Sequence, residues 1–322
     1  MFLEDLKNFA KQFEWKPVIE NSTGFGVREK IVVLGMGGSH LAADLLKTWT
    51  PYVTKIKIHS DYGLPALSDQ DIKNSLVVAV SHSGQSQEVL DGFNLALEKG
   101  YAVGAISAGG ELIKLAQKKS VPYILIPDSK IQPRLATGFY FRALLKIMGE
   151  TARFNETEKL TGNLRPAEFE LRGKELAKKI KGRLPIIYSS AKKSALAYIW
   201  KVKFNETAKS PAFYNVFPEL NHNELAGFEV SSVAGEFVQK FFFIFLADSY
   251  DHPQNQKRMA ATAGLLEKAG FLTETIQLAG QDHFHKIFSA ALLADWASYH
   301  LAQLYGVDPE SVPVVEAFKK TI

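Results

Sequence analysis

The sequence contains no cysteine. That excludes disulfides, thiolate metal sites and cysteine nucleophiles, and it is compatible with a reducing compartment. No apolar stretch is long enough to span a bilayer. The most apolar run, Phe241–Ala247 (FFFIFLA), falls far short of the roughly 20 residues a membrane helix needs. The first residues, MFLEDLKNFAKQFEW, carry Glu4 and Asp5 and alternate charged with apolar positions, so they read as an amphipathic helix rather than a signal peptide. A strong charge bias is missing too. The 38 basic and 34 acidic residues leave a net charge of +4, and the basic ones fall in short pairs such as Lys118-Lys119, Lys178-Lys179 and Lys192-Lys193. Nothing here marks a nucleic-acid or membrane partner. The carboxylates and histidines show no HExxH or comparable spacing, so no metal and no cofactor is expected. The expectation is a soluble, cytoplasmic chain.

What is present is ordinary globular composition, 46% hydrophobic and 22% charged over 322 residues, a length that favours two domains. Short apolar runs alternate with helix-like segments. Ile31–Leu34, Val53–Ile58, Leu76–Val80, Tyr101–Ile106 and Tyr123–Ile126 read as buried strands. Segments such as Leu41–Trp49 and Gln87–Lys99 read as helices, the second stopped by Gly100. This alternation implies a parallel sheet covered by helices on both faces. Residues 151–180 are polar and interrupted by Thr161-Gly162-Asn163 and Pro166, which suggests a helical connection. The alternation then resumes, with strands at Leu184–Tyr188, Phe241–Ala247 and Leu272–Leu278 and helices at Ser194–Lys209, Asn255–Ala269 and His285–Leu304. The expected fold class is therefore α/β, with two mainly parallel sheets flanked by helices and domains spanning about 1–153 and 154–322.

Two strand-to-helix turns carry the chemistry. Strand Ile31–Leu34 runs into Gly35-Met36-Gly37-Gly38-Ser39-His40, and the third strand runs into Ser81-His82-Ser83-Gly84-Gln85-Ser86. Glycines let the backbone approach a ligand, and a helix N-terminus offers free N–H groups to an anion. Three hydroxyls at such a turn add donors suited to a phosphate. A plain helix cap accounts for one serine, but two such loops together point to a ligand. A dinucleotide fingerprint fits at Gly35 and Gly37, with His40 at the third glycine position and Asp61 placed for ribose binding. A nucleophile elbow fails because no glycine lies two residues after Ser39, and a Walker loop lacks its Gly-Lys-Ser/Thr.

The pairing of GMGGS with SHSGQSQE resembles the sugar isomerase (SIS) domain, whose serine-rich loop binds phosphosugars. DYGLP at 61–65, PR at 133–134, FNETAK at 204–209, PELNHNE at 218–224 and ADWASYHLAQLYGVDP at 294–309 narrow the resemblance to the bifunctional phosphoglucose/phosphomannose isomerase family. It extends from about residue 30 to the last residue. It implies two SIS-type domains, a phosphorylated sugar as substrate, and a homodimer. It implies Glu206 as catalytic base, His222 as the ring-opening histidine supplied to the other subunit, and Arg134 as the cation that steadies the enediolate with help from the backbone at Gly38. Ser39, Ser81, Ser83 and Ser86 take the places of the phosphate and sugar contacts, and Lys319, beside Lys320, that of a lysine assisting ring opening. The chain departs from the family where SYSGNTEE is commoner than SHSGQSQE, and where His40 replaces a small residue. Both departures lie beside the phosphate contacts and bear on substrate preference.

Elementary chemistry agrees with these roles. Aldose–ketose isomerisation needs a base to move a proton between C1 and C2, dipoles or a cation for the developing oxyanion, and a separate acid–base for ring opening. The resemblance therefore implies interconversion of glucose 6-phosphate and mannose 6-phosphate with fructose 6-phosphate. A non-catalytic phosphosugar sensor is the alternative from another class, and would need only the serines. For Glu206 the competing role is a surface ion pair with Lys203 or Lys209. His283 and His285 point apart on a helix and read as structural, as do Trp296 and Tyr299 at helical spacing. His40 and His82 stay open between loop packing and substrate contact.

Overall fold

The structure, a computed structural model, describes residues 1–23, 25–49, 52, 55–127, 130–229, 238, 240–319 and 321. The chain folds into two compact units, Leu3–Leu164 and Arg165–Ile322. The boundary falls inside the polar stretch 151–180, which forms helices at Thr151–Glu158, Leu160–Asn163 and Glu170–Ile180.

In the first unit five strands form one parallel sheet: β1 (Lys30–Gly35), β2 (Ile56–His59), β3 (Ser75–Val80), β4 (Val103–Ser107) and β5 (Tyr123–Leu125), in the order β2-β1-β3-β4-β5. Every residue of β3 and β4 is buried, as continuous apolar runs covered on both faces require. β2 begins at Ile56. Val53 and Thr54, at the start of the expected strand Val53–Ile58, lie outside the described residues. Val32, Leu34, Val77, Ala79, Phe93 and Leu112 form the core on one face of the sheet, each large side chain contributing roughly 1.5–3 kcal/mol. From β1 the chain adds β2 on one side and then returns past β1 to add β3 on the other. The β1/β3 boundary is thus the switch point, outside whose carboxyl ends ligands bind in such sheets. Gly35 pairs with Val80, so the loops after β1 and β3 start at one level.

The second unit repeats this plan with β6 (Leu184–Ser190), β7 (Phe213–Phe217), β8 (Phe241–Ala247) and β9 (Leu272–Gln277), all parallel, in the order β7-β6-β8-β9. Its switch point lies between β6 and β8. The sequence reading missed β7. Phe213 and Tyr214 are exposed on this edge strand, so it shows no continuous apolar run. The core here is aromatic: the Tyr188 ring meets Phe217, Phe243 and Phe245 at 5.6–6.0 Å. Helix His283–Tyr305 buries most of its length and stops at Gly306, whose φ of 67° suits a left-handed cap. Trp296 is buried on it, its Nε1 donating to the Pro166 carbonyl at 2.6 Å. Gly173 of helix Glu170–Ile180 allows this packing, because a Cβ there would stand 2.5 Å from that of Trp296.

Candidate active site

The loop after β1 leaves the strand at Gly35, turns through a 3-10 segment at Gly37–His40 and enters helix Leu41–Lys47. Gly37 takes a φ of 52°. Gly38 is pressed against the turn Pro133–Leu135: a Cβ would lie 3.0 Å from the backbone nitrogen of Arg134 and from Pro133 Cβ. The absence of a side chain at Gly38 therefore brings the backbone of this loop against the Arg134 turn. Arg134 is fully buried, with Nη1 donating to Gln132 at 3.2 Å. Gln12 braces this turn from below, donating to the Leu135 carbonyl at 2.8 Å and accepting from the Phe139 amide at 3.2 Å.

The loop after β3 stands beside it. The His82 amide donates to Ser39 Oγ at 3.2 Å, tying the two loops together across the switch point. Ser81 is fully buried, with its hydroxyl 3.0 Å from that of Ser86. Ser86 holds the N-cap position of helix Gln87–Glu98, but no side chain among the described residues caps that helix. Its first-turn N–H groups and the Ser81–Ser86 hydroxyl pair lie together at the positive end of the helix dipole, an arrangement that favours an anion. Ser83 is exposed, its Oγ accepting from the Gln85 amide at 3.2 Å. The loop keeps its shape through a backbone crossing. Gly84 has a φ of 66°, and a Cβ on it would stand 2.0 Å from the Gly109 carbonyl oxygen. A Cβ on Gly110 would meet the Ser83 carbonyl oxygen at the same distance. Only glycine fits on either side.

Both open histidines have partners within this unit. His40 Nδ1 lies 2.5 Å from the Asp44 carboxylate one helical turn on. His82 Nδ1 lies 2.9 Å from the Tyr140 hydroxyl, whose pKa burial pushes far up, so that it stays protonated. The packing role left open by the sequence is thus filled in both cases.

In the second unit the expected site residues stand apart. Glu206 is the penultimate residue of helix Ser194–Thr207, part-buried, at the amino end of the sheet. Lys203 is buried against Asp295 at 2.6 Å, and Lys209 donates to the Glu206 backbone carbonyl at 2.7 Å. His222 lies past the other end of β7, in the 3-10 turn Glu219–His222. Five strand residues separate the two ends, roughly 13–17 Å. Within the PELNHNE motif Asn223 donates to Glu219 at 3.0 Å, Asn221 donates to Thr262 at 2.8 Å, and Glu224 accepts from Tyr188 at 2.6 Å and from Asn215. His222 is exposed, and its ring bonds to none of the described residues. These bonds fix the segment that carries the exposed His222. Lys319 ends the exposed helix Pro313–Lys319, and Lys320 lies outside the described residues.

The sequence reading missed a buried ionic group at the carboxyl ends of β6 and β8. Asp248 lies 3.0 Å from Lys193 and 2.8 Å from Lys286. The only sequence signal was positional, because Lys193 ends a strand-to-helix turn and Asp248 directly follows a strand.

Comparison with known proteins agrees with this architecture. Residues 169–322 match the bacterial phospho-glucose isomerase C-terminal SIS domain. The chain is 34% identical to a bifunctional phosphoglucose/phosphomannose isomerase of Caldicellulosiruptor bescii, over 99% of this chain and 98% of that one. It is 30% identical to the protein of the same name from Aquifex aeolicus, over 98% and 97%. Among solved structures, glucosamine-6-phosphate deaminase from Thermotoga maritima superposes with a TM-score of 0.68 at 17% identity, covering 97% of both chains. With full-length relatives at this identity and two parallel sheets of the expected kind, the chain belongs to the bifunctional phosphoglucose/phosphomannose isomerase family.

Proposed function

We propose that this enzyme interconverts glucose 6-phosphate and mannose 6-phosphate with fructose 6-phosphate through an enediol. The observation that carries the reading is the paired loop at the β1/β3 switch point. Hydroxyls at Ser81 and Ser86, glycine-shaped backbone and an uncapped 12-residue helix converge there. Such a cradle suits a phosphate monoester, which brings the charge that the helix dipole favours.

The remaining roles follow the chemistry. The Glu206 carboxylate takes the proton from C2 of the open-chain aldose and returns it to C1. The negative charge that builds on oxygen is met by the Arg134 guanidinium and the backbone at Gly38. Ser39 and Ser83 complete the contacts to the phosphate and sugar. Ring opening precedes this and falls to His222 of the partner subunit, assisted by Lys319. The outward placement of His222, roughly a strand length from Glu206 in its own unit, supports a role in a homodimer, where it reaches a neighbour's substrate. No helix among the described residues is long and apolar enough to cross a membrane, and we place the enzyme in the cytoplasm with other sugar-phosphate chemistry.

A coupled assay started separately with glucose 6-phosphate and with mannose 6-phosphate tests the reading. Fructose 6-phosphate should form from both. Formation from glucose 6-phosphate alone would narrow the substrate range, and formation from neither would overturn the proposal.

A further inference from the structure

The two units have matching topology at their switch points but different chemistry there. In the first, β1 ends at Gly35, and the 3-10 turn Gly37–His40 leads into a helix. In the second, β6 ends at Ser190, and the 3-10 turn Ala191–Lys193 leads into helix Ser194–Thr207. Lys193 and His40 thus hold one place, the last residue of the turn. Ser81 directly follows β3 and Asp248 directly follows β8, so these two also correspond. The anion-seeking hydroxyl of the first unit is replaced by a carboxylate in the second.

That carboxylate is gripped from both sides. Lys193 Nζ lies 3.0 Å from one Asp248 oxygen, and Lys286 Nζ lies 2.8 Å from the other. The Tyr250 amide donates to the same group at 3.1 Å. Asp248 is 2% exposed, and Lys193 and Lys286 are 6% and 7% exposed. Lys286 is fixed in the first turn of helix His283–Tyr305. The loop at Gly280 packs against its backbone so closely that a Cβ there would stand 2.4 Å from the Lys286 nitrogen. Two cations and one anion cannot cancel. The nearby Asp251 carboxyl accepts from Ser190 at 2.7 Å and is pushed upward in pKa, by burial first, which favours its neutral form. His283 next to the group is pushed down to about 4, by burial and then by the two lysines, and so stays neutral. Two buried ammonium groups in one crevice require an anion, because unpaired charge is costly away from water.

We infer that Asp248 is a built-in occupant of an anion site: its carboxylate fills the second unit's switch-point crevice and closes it to phosphorylated ligands. A chain with two sheets of one design then offers one phosphate cradle rather than two. Removing the carboxylate should open a site for inorganic phosphate or a phosphate monoester between Lys193 and Lys286. The inference rests on topology and ion geometry in the second unit and does not depend on which sugar the enzyme converts.

The test uses Asp248→Asn and Asp248→Ala in the full chain, with inorganic phosphate as the probe and chloride at equal ionic strength as the reference. Equilibrium dialysis should show one more phosphate bound per chain than in wild type. At a tenfold excess over the dissociation constant, phosphate should raise the Tm of each variant by roughly 3–5 °C beyond its effect on wild type. Adding Lys193→Met and Lys286→Met should abolish both gains. Should a variant fail to fold in chloride, refolding that depends on phosphate would support the inference, and no recovery in phosphate would overturn it. Folded variants that bind no more phosphate than wild type would also overturn it. So would a wild-type protein holding a second phosphate that Lys193→Met removes. A failure of the first unit's cradle would lower the wild-type baseline while leaving the increment intact.

Discussion

The first unit's switch point presents serine hydroxyls at a helix N-terminus, and the second unit's presents a carboxylate already gripped by two lysines. In the first, Ser81 and Ser86 gather at an uncapped helix N-terminus. In the second, Asp248 stands between Lys193 and Lys286 as a carboxylate of the chain's own. A crevice of neutral dipoles is inexpensive to keep empty and gains when an anion arrives, whereas buried ions must be compensated at all times. The same contrast recurs in the cores. Buried Arg142 of the first unit donates to the Trp15 carbonyl at 2.6 Å and to Thr157 at 2.8 Å, with the half-exposed Glu158 farther off at 3.4 Å. Buried Lys203 of the second unit is matched to the carboxylate of Asp295. One topology thus supports a receptive crevice in one unit and an occupied one in the other, and the choice lies in a few side chains at strand ends.

The largest expected effect separates binding from chemistry. Glu206→Gln keeps the side chain's size but cannot accept a proton, so kcat should fall by about 10²–10⁴. Affinity for fructose 6-phosphate and Tm should stay near wild type, since a transition-state role adds little to ground-state binding. A parallel loss of affinity would place Glu206 among the binding groups instead. Next comes the second unit's ionic core. Lys203→Met alone removes the buried cation paired with Asp295 and should cost about 3–5 kcal/mol in denaturant unfolding, while Lys203→Met with Asp295→Leu should recover most of that. If the single and double variants prove equally stable, the pair does not carry the charge balance assigned to it.

The serines sharpen the comparison directly. Ser81→Ala with Ser83→Ala removes two donors to a charged group, worth roughly 1.5–3 kcal/mol each. Calorimetric affinity for fructose 6-phosphate should drop at least tenfold. Ser189→Ala with Ser190→Ala, at the end of β6, should leave that affinity unchanged and lower stability by about 1–2 kcal/mol, because Asp251 loses its donor. Equal effects of the two double variants on binding would erase the distinction between the units. The smallest effect concerns pH. His283 has its folded pKa depressed to about 4 from 6.5. The unfolded chain therefore binds the proton first, and the stability this residue contributes is present above pH 6.5 and lost as pH falls toward 4. Solvent screening holds the loss to roughly 2 kcal/mol. Unfolding curves across that range should flatten in His283→Gln, and an unchanged slope would remove His283 as the cause.

Legibility in the sequence followed burial. β1, β3, β6 and β8 lie inside their sheets, and their unbroken apolar runs marked them with boundaries shifted by a residue or two. β7 did not announce itself because an edge strand with exposed Phe213 and Tyr214 reads as mixed polarity. The serine and glycine loops were readable since their residues are contiguous and their turn chemistry is local. The fixed positions of Gly84 and Gly110 against each other were not, because a backbone crossing joins two separate loops. The Lys193–Asp248–Lys286 group was invisible for a similar reason. Three segments contribute to it, and in sequence each residue looks like ordinary surface charge. The partners of His40 and His82 likewise depended on geometry, Asp44 one turn along a helix and Tyr140 on another element.

An enzyme that passes its substrate through an enediol exchanges the proton at C2 with solvent, and that exchange reports the species without relying on any variant. The wild-type protein is incubated with glucose 6-phosphate in deuterium oxide, and the sugar is followed by proton NMR. Deuterium should enter C2 of recovered glucose 6-phosphate while fructose 6-phosphate accumulates. A protein that binds the sugar phosphate in the same solution, yet shows neither exchange nor conversion, would contradict it and leave a phosphosugar sensor in place of an isomerase.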